Sequence, residues 1–140
     1  MTRALWLSAN LMLFFAAAHA ASDPGDPSMV KLASVSGCLT CHHIESRAPV
    51  PNGSLPIGPA WQDVSARYRD VPGAADQLTR TVLAGSNPYA SHWKDKVNGL
   101  AMPPNAVAIK EADARALVAW ILGLGPQRAA TVAVPKPASP

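Results

Sequence analysis

The chain has 140 residues, 49% of them hydrophobic and only 15% charged, a balance that fits one folded domain and excludes a largely disordered chain. Its formal net charge of +3 is too small a bias to argue for nucleic acid as a partner. Cys38 and Cys41 are the only cysteines, so how they are used decides the function.

The first 20 residues read as an export signal rather than as part of the domain. Arg3 supplies a positive start, Leu11 to Ala18 an apolar run, and Ala18-His19-Ala20 a small-residue cleavage site. An uncleaved anchor is the alternative, but Ser8 and Asn10 interrupt the segment and it is short for a bilayer span. Cleavage after Ala20 removes Arg3 and no acid, lowering the net charge from +3 to +2, and leaves a protein in the periplasm without stable membrane insertion. Residues 21–28 read as a flexible lead-in and 127–140 as a disordered Ala/Pro-rich tail, leaving 29–126 as the domain.

Within that domain the hydrophobic periodicity is helical, with no convincing alternating strand, so the expected fold class is all-α. A first helix is expected from Met29 to His42 with Ser28 as N-cap, and a short second one from Gln62 to Tyr68 after a proline-rich loop. A third, Ala74 to Ala84, places Ala75, Leu78, Thr79 and Val82 on one face and stops at Gly85. The last runs from Lys110 to Leu122, with Ala114, Leu117, Val118 and Ile121 as its inward stripe. Trp120 and Leu117 are expected to pack on the first helix. Four short helices bury little apolar surface by themselves, and a large apolar cofactor at the centre would change that account.

Cys38-Leu39-Thr40-Cys41-His42 is a complete C-x-x-C-H, the sequence that attaches haem covalently. On a helix, positions i, i+3 and i+4 share a face, so both thiols can reach the vinyl groups of one porphyrin edge while the imidazole turns to the iron. A disulfide at this spacing closes a tiny loop and leaves His42 without a purpose. A thioredoxin-like pair needs a βαβ context, and a zinc site wants further ligands at close spacing.

A sixth iron ligand can come from Met29, Met102, His43 or His92. Met29 lies on the attachment helix and His43 beside His42, so neither reaches the opposite haem face comfortably. Met102, in Leu100-Ala101-Met102-Pro103-Pro104-Asn105, is far enough along to cross, and the two prolines stiffen the loop that presents a weak thioether ligand. His43 and His92 are expected to face solvent. A cavity bounded by Cys38, Cys41, His42 and Met102 should therefore lie at the centre of the domain.

From Met29 to Leu122 the chain resembles a small bacterial class I c-type cytochrome, on the order C-x-x-C-H, Gly58-Pro59, Met-Pro-Pro-Asn and an aromatic-bearing last helix. The resemblance implies a cytochrome c fold around one covalent haem c, with the first and last helices crossing near it. It implies that the Pro59 carbonyl accepts the Nδ1 proton of His42, that Asn105 donates to the methionine sulfur, and that Trp93 and Arg80 meet the haem propionates. Each carries a plain alternative: Gly58-Pro59 as an ordinary turn, Asn105 as a turn residue, Trp93 as hydrophobic cover, Arg80 as a surface charge.

With both axial positions filled the expected function is single-electron transfer between redox protein partners, a donor dehydrogenase or membrane complex and an acceptor oxidase or reductase, by a monomer. The competing function is a small peroxidase-like or gas-binding haem enzyme with an open iron position. No paired acid and base, nucleophile triad or phosphate loop stands out.

Overall fold

A computed structural model describes residues 21–46 and 53–125. The signal segment and the Ala/Pro-rich tail lie outside the described residues. Among those described the fold is helical: α1 is Pro27–Val35, α2 Trp61–Tyr68, α3 Ala74–Ala84 and α4 Glu111–Gly123, with short 3₁₀ turns at Cys38–Thr40 and Pro88–Ala90.

The first helix is shorter than its periodicity suggests. It opens at Asp26, not Ser28: the Asp26 carboxylate accepts from the amides of Ser28 and Met29 at 2.9 and 3.4 Å, with Pro27 in the first turn. It ends at Ser36 because Gly37 takes a left-handed conformation, φ 74°, and the attachment motif follows as a separate tight turn.

The helix α2 turns Trp61, Val64, Ser65 and Tyr68 inward, four positions of one helical face. In α3 the buried alanine is Ala74 rather than Ala75, with Leu78 and Val82 following at helical spacing toward the interior. The inward stripe of α4 is Ala114, Leu117, Val118 and Ile121, as its spacing indicates, with Trp120 buried beside it. This helix is the spine, packing against α3, α2 and α1. An exposed ion pair, Arg115 to Asp76 at 2.6 Å, also ties it to α3.

Polar side chains close its far end. Ser65, fully buried, donates to the carbonyls of Leu122 and Leu124, and Arg69 donates to Leu124 at 3.1 Å. These bonds satisfy carbonyls that a helix C-terminus leaves without partners.

Residues 21–28, expected as a flexible lead-in, pack instead along that end. The amide of Ser22 donates to Gly123 at 2.7 Å in a single parallel bridge, and the Trp120 indole donates to the Asp23 carbonyl at 2.9 Å. Trp120 thus stands edge-on to Trp61 of α2 and holds the N-terminal segment, while Leu117 shares the core with Ala33 of α1.

Candidate functional site

Cys38, Cys41 and His42 sit on the turn that follows Gly37, where the amides of Cys41 and His42 both bond the Cys38 carbonyl. The turn is fastened to α2 through backbone groups. Trp61 and Gln62, at the helix start, donate to the carbonyls of His43 and Ile44, which supply the cap that no side chain provides.

His42 is held on three sides. Its Nδ1 lies 2.8 Å from the Pro59 carbonyl oxygen; a carbonyl can only accept, so the proton is on Nδ1 and Nε2 keeps its lone pair. Its ring stacks on Trp61 with centroids 5.8 Å apart. Gly58 backs it, bonded through its own amide to the Cys41 carbonyl at 2.9 Å. Burial pushes the imidazole below its ordinary pKa, against the Pro59 bond, which raises it; the neutral form is the one that can ligate a metal. Burial also pushes the Cys38 thiol up. Both cysteine side chains are half-buried and no disulfide joins them.

Met102 arrives from the far end of the chain on a loop docked to the end of α3. Ser86 grips its backbone twice, accepting the Met102 amide on Oγ at 2.8 Å and donating its own amide to the Met102 carbonyl at 2.9 Å. The amides of Asn105 and Ala106 take the carbonyls of Val82 and Leu83, left over by the last turn of α3. The His42 and Met102 sides are joined directly, since Asn98 and Gly99 donate to the carbonyls of Pro56 and Ile57 at 2.9 and 3.0 Å.

Between these two sides is a cavity of about 350 Å³, lined by Cys38, Cys41, His42, Pro59, Trp93 and Met102 and walled by apolar side chains of α3 and α4. Two thiols, an imidazole with a free Nε2 and a thioether around an apolar slot are the donor set that haem c requires, and the residues fit that cofactor.

Two expected site residues lie elsewhere. Arg80 is exposed on α3 and faces Asp76, because two residues from Leu78 and from Val82 is the opposite side of a helix whose Leu78–Val82 face turns inward. The Asn105 amide donates to the nearby Pro103 carbonyl at 2.6 Å, and Asn105 does not line the cavity. His92 faces solvent as expected, and it has a further placement. Although exposed, it lines the cavity and stacks on Tyr68, with its Nδ1 hydrogen-bonded to the Tyr68 hydroxyl. The support from Trp61, Ser86 and Tyr68 has no motif in the sequence to mark it; Gly58 belongs to the Gly58-Pro59 motif, but its place against the ring comes from the structure.

The cytochrome c family model matches residues 30–125. The chain belongs to the cytochrome c family. It is 41% identical over 93 residues to cytochrome c-551 of Allochromatium vinosum, covering 66% of this chain and 82% of that one. It is 36% identical over 93 residues to cytochrome c-552 of Nitrosomonas europaea, covering 66% and 75%. The crystal structure of wild-type Nitrosomonas europaea cytochrome c552 superposes with a TM-score of 0.52 at 35% identity, covering 68% of this chain and 98% of that one. Like the class I monohaem cytochromes it resembles, this cytochrome carries covalent haem c and is an electron carrier, not an enzyme. Among the described residues no helix is long and apolar enough to cross a membrane.

Proposed function

We propose that the chain is exported to the periplasm, loses residues 1–20, and as a monomer shuttles single electrons between a donor dehydrogenase or membrane complex and an acceptor oxidase or reductase. Cys38 and Cys41 form the thioethers, and His42 and Met102 are the axial ligands. Bound there, the haem supplies a one-electron couple.

The observation that carries this reading is that residues as distant in sequence as His42 and Met102 line one apolar cavity together with both thiols. The residues divide the work. Pro59 keeps the proton on Nδ1 and so aims the Nε2 lone pair of His42. Ser86 and the two prolines after Met102 fix the backbone that carries the thioether. Leu78, Val82, Leu117, Val118 and Ile121 exclude water, which favours the less charged, reduced state and raises the potential.

The test is expression with haem attachment in a periplasm, followed by mass spectrometry and absorption. A mature mass starting at Ala21 with one covalent haem, low-spin bands and a sulfur-to-iron charge-transfer band in the oxidised far-red spectrum is expected. High-spin bands, or the same far-red band in Met102→Ala, would overturn the ligand assignment.

A further inference from the structure

None of the described side chains lining the cavity is Lys, Arg, Asp or Glu. That matters because haem carries two propionate carboxylates, and a carboxylate set against protein without a counter-charge or donor is costly. This step rests on the haem reading above. Arg80 faces Asp76 outside the cavity, and the Nδ1 of His42 is committed to Pro59. The remaining lining side chain that can take up a positive charge is His92.

His92 is held in place rather than free. Its ring stacks on Tyr68 with centroids 5.8 Å apart and an interplanar angle of 28°, and its Nδ1 meets the Tyr68 hydroxyl. Tyr68 is 8% exposed, on the inward face of α2. When the imidazole is neutral, the phenol donates to Nδ1 and the ring proton is on Nε2. When it is cationic, both nitrogens donate and the phenol oxygen accepts. Either way Nε2–H remains a donor, so the pair is satisfied in both protonation states.

We infer that His92, positioned by Tyr68, is the counter-charge for a haem propionate, and that reduction by one electron from a redox partner draws a fraction of a proton from solvent onto His92. A positive charge at His92 favours the reduced haem, which holds one positive charge fewer, so the potential falls as pH rises through the imidazole range. The charged and titratable groups around it are Arg67, whose guanidinium lies 5.7 Å from the Tyr68 ring centroid, the neutral His42 across the cavity, and Lys94, Asp95 and Lys96 on its own segment.

The experiment is potentiometry of the holocytochrome across about pH 5 to 8. Covalent haem and the methionine charge-transfer band are read first, on wild type, so a failure of the haem reading shows before His92 is touched. Wild type should lose potential with rising pH, by about 59 mV if the proton affinity of His92 differs tenfold between oxidised and reduced protein. His92→Gln should be nearly flat. A His92→Gln slope equal to wild type overturns the inference and assigns the effect to a propionate or another group. Ring resonances of His92 should titrate at higher pH in the reduced than in the oxidised protein, and equal midpoints count against it. Tyr68→Phe should move the Nδ1 resonance of His92; an unmoved resonance removes Tyr68 from the arrangement.

Discussion

Gly58 lies so close to His42 that a Cβ added to it would stand 2.9 Å from Cε1 and 3.0 Å from Nδ1 of the ring. Real Cβ atoms do not approach ring atoms to 2.9 Å, so the absence of a side chain at Gly58 is what allows the imidazole to reach Pro59. The backbone cannot retreat either, since its amide is bonded to Cys41. Gly58→Ala should therefore tilt the ring and cost about 1–3 kcal/mol in holoprotein stability. Thermal unfolding and the hyperfine-shifted ring signals of the oxidised protein test this. A variant with wild-type stability and unmoved signals would show that the ring seat is set elsewhere.

On the opposite side the vulnerable contact is Ser86 with Met102. Ser86→Ala leaves the half-buried Met102 amide without its acceptor and weakens the loop by about 1 kcal/mol, or roughly fivefold in the population of the open form. Covalent attachment does not involve Ser86, so haem yield should hold while exogenous cyanide or imidazole should displace the proposed Met102 ligand about fivefold faster in the oxidised protein. Unchanged displacement kinetics would mean that the two prolines alone set the loop.

How much of this was legible in sequence depends on how local the signal is. Cys38, Cys41 and His42 form a short motif, and Met102 is marked by the prolines beside it, so one cavity with those four on its wall follows from local chemistry. The stripes of α2 and α4 follow from period 3.6. The first helix was read through Gly37 because apolar residues continue beyond it, and a backbone turn at positive φ leaves periodicity intact. Arg80 and Asn105 were placed by order along the chain, which says nothing about which way a side chain turns. Tyr68 and His92 meet across 24 residues, one from α2 and one from the segment after the Pro88–Ala90 turn, and no local pattern joins them. The packing of the lead-in is hidden for a similar reason: Asp-Pro-Gly-Asp-Pro has the composition of a loop, yet Asp23 accepts from Trp120, 97 residues along the chain, and the preceding Ser22 donates to Gly123.

Asp26 gives the fold an acid-sensitive cap. The Ser28 hydroxyl, the largest cause, and the Ser28 amide hold its carboxyl below the usual carboxylate value. A depressed folded pKa means that the stabilisation is fully present above the ordinary value of 3.8 and is lost as pH falls through the lower folded value. Asn also caps helices but does not titrate, so Asp26→Asn should keep the helix at neutral pH. The difference in melting temperature between the two proteins should shrink on acidification below pH 3.8. A constant difference from neutral to acid pH would mean that the charge of Asp26 contributes nothing to the cap.

Partner encounter should depend on charges around the mouth of the cavity. Leu100 lines the cavity and is 80% exposed, which provides apolar contact area at its mouth. Lys94 and Lys96, both exposed, stand on the segment leading to Met102, with Asp95 the only acid between Lys94 and Met102. Apolar contact at the centre with charges around it suits brief docking, because long-range attraction speeds encounter without slowing release. Reversing both lysines to glutamate should slow bimolecular electron transfer to an acidic-faced redox partner by roughly tenfold at low ionic strength. Salt at about 0.5 M, where screening acts within a few ångströms, should bring the two rates together. Stopped-flow rates measured against ionic strength decide the point: equal rates at every salt concentration would leave the apolar contact as the sole docking determinant, and a gap that salt does not close would indicate altered haem geometry rather than steering.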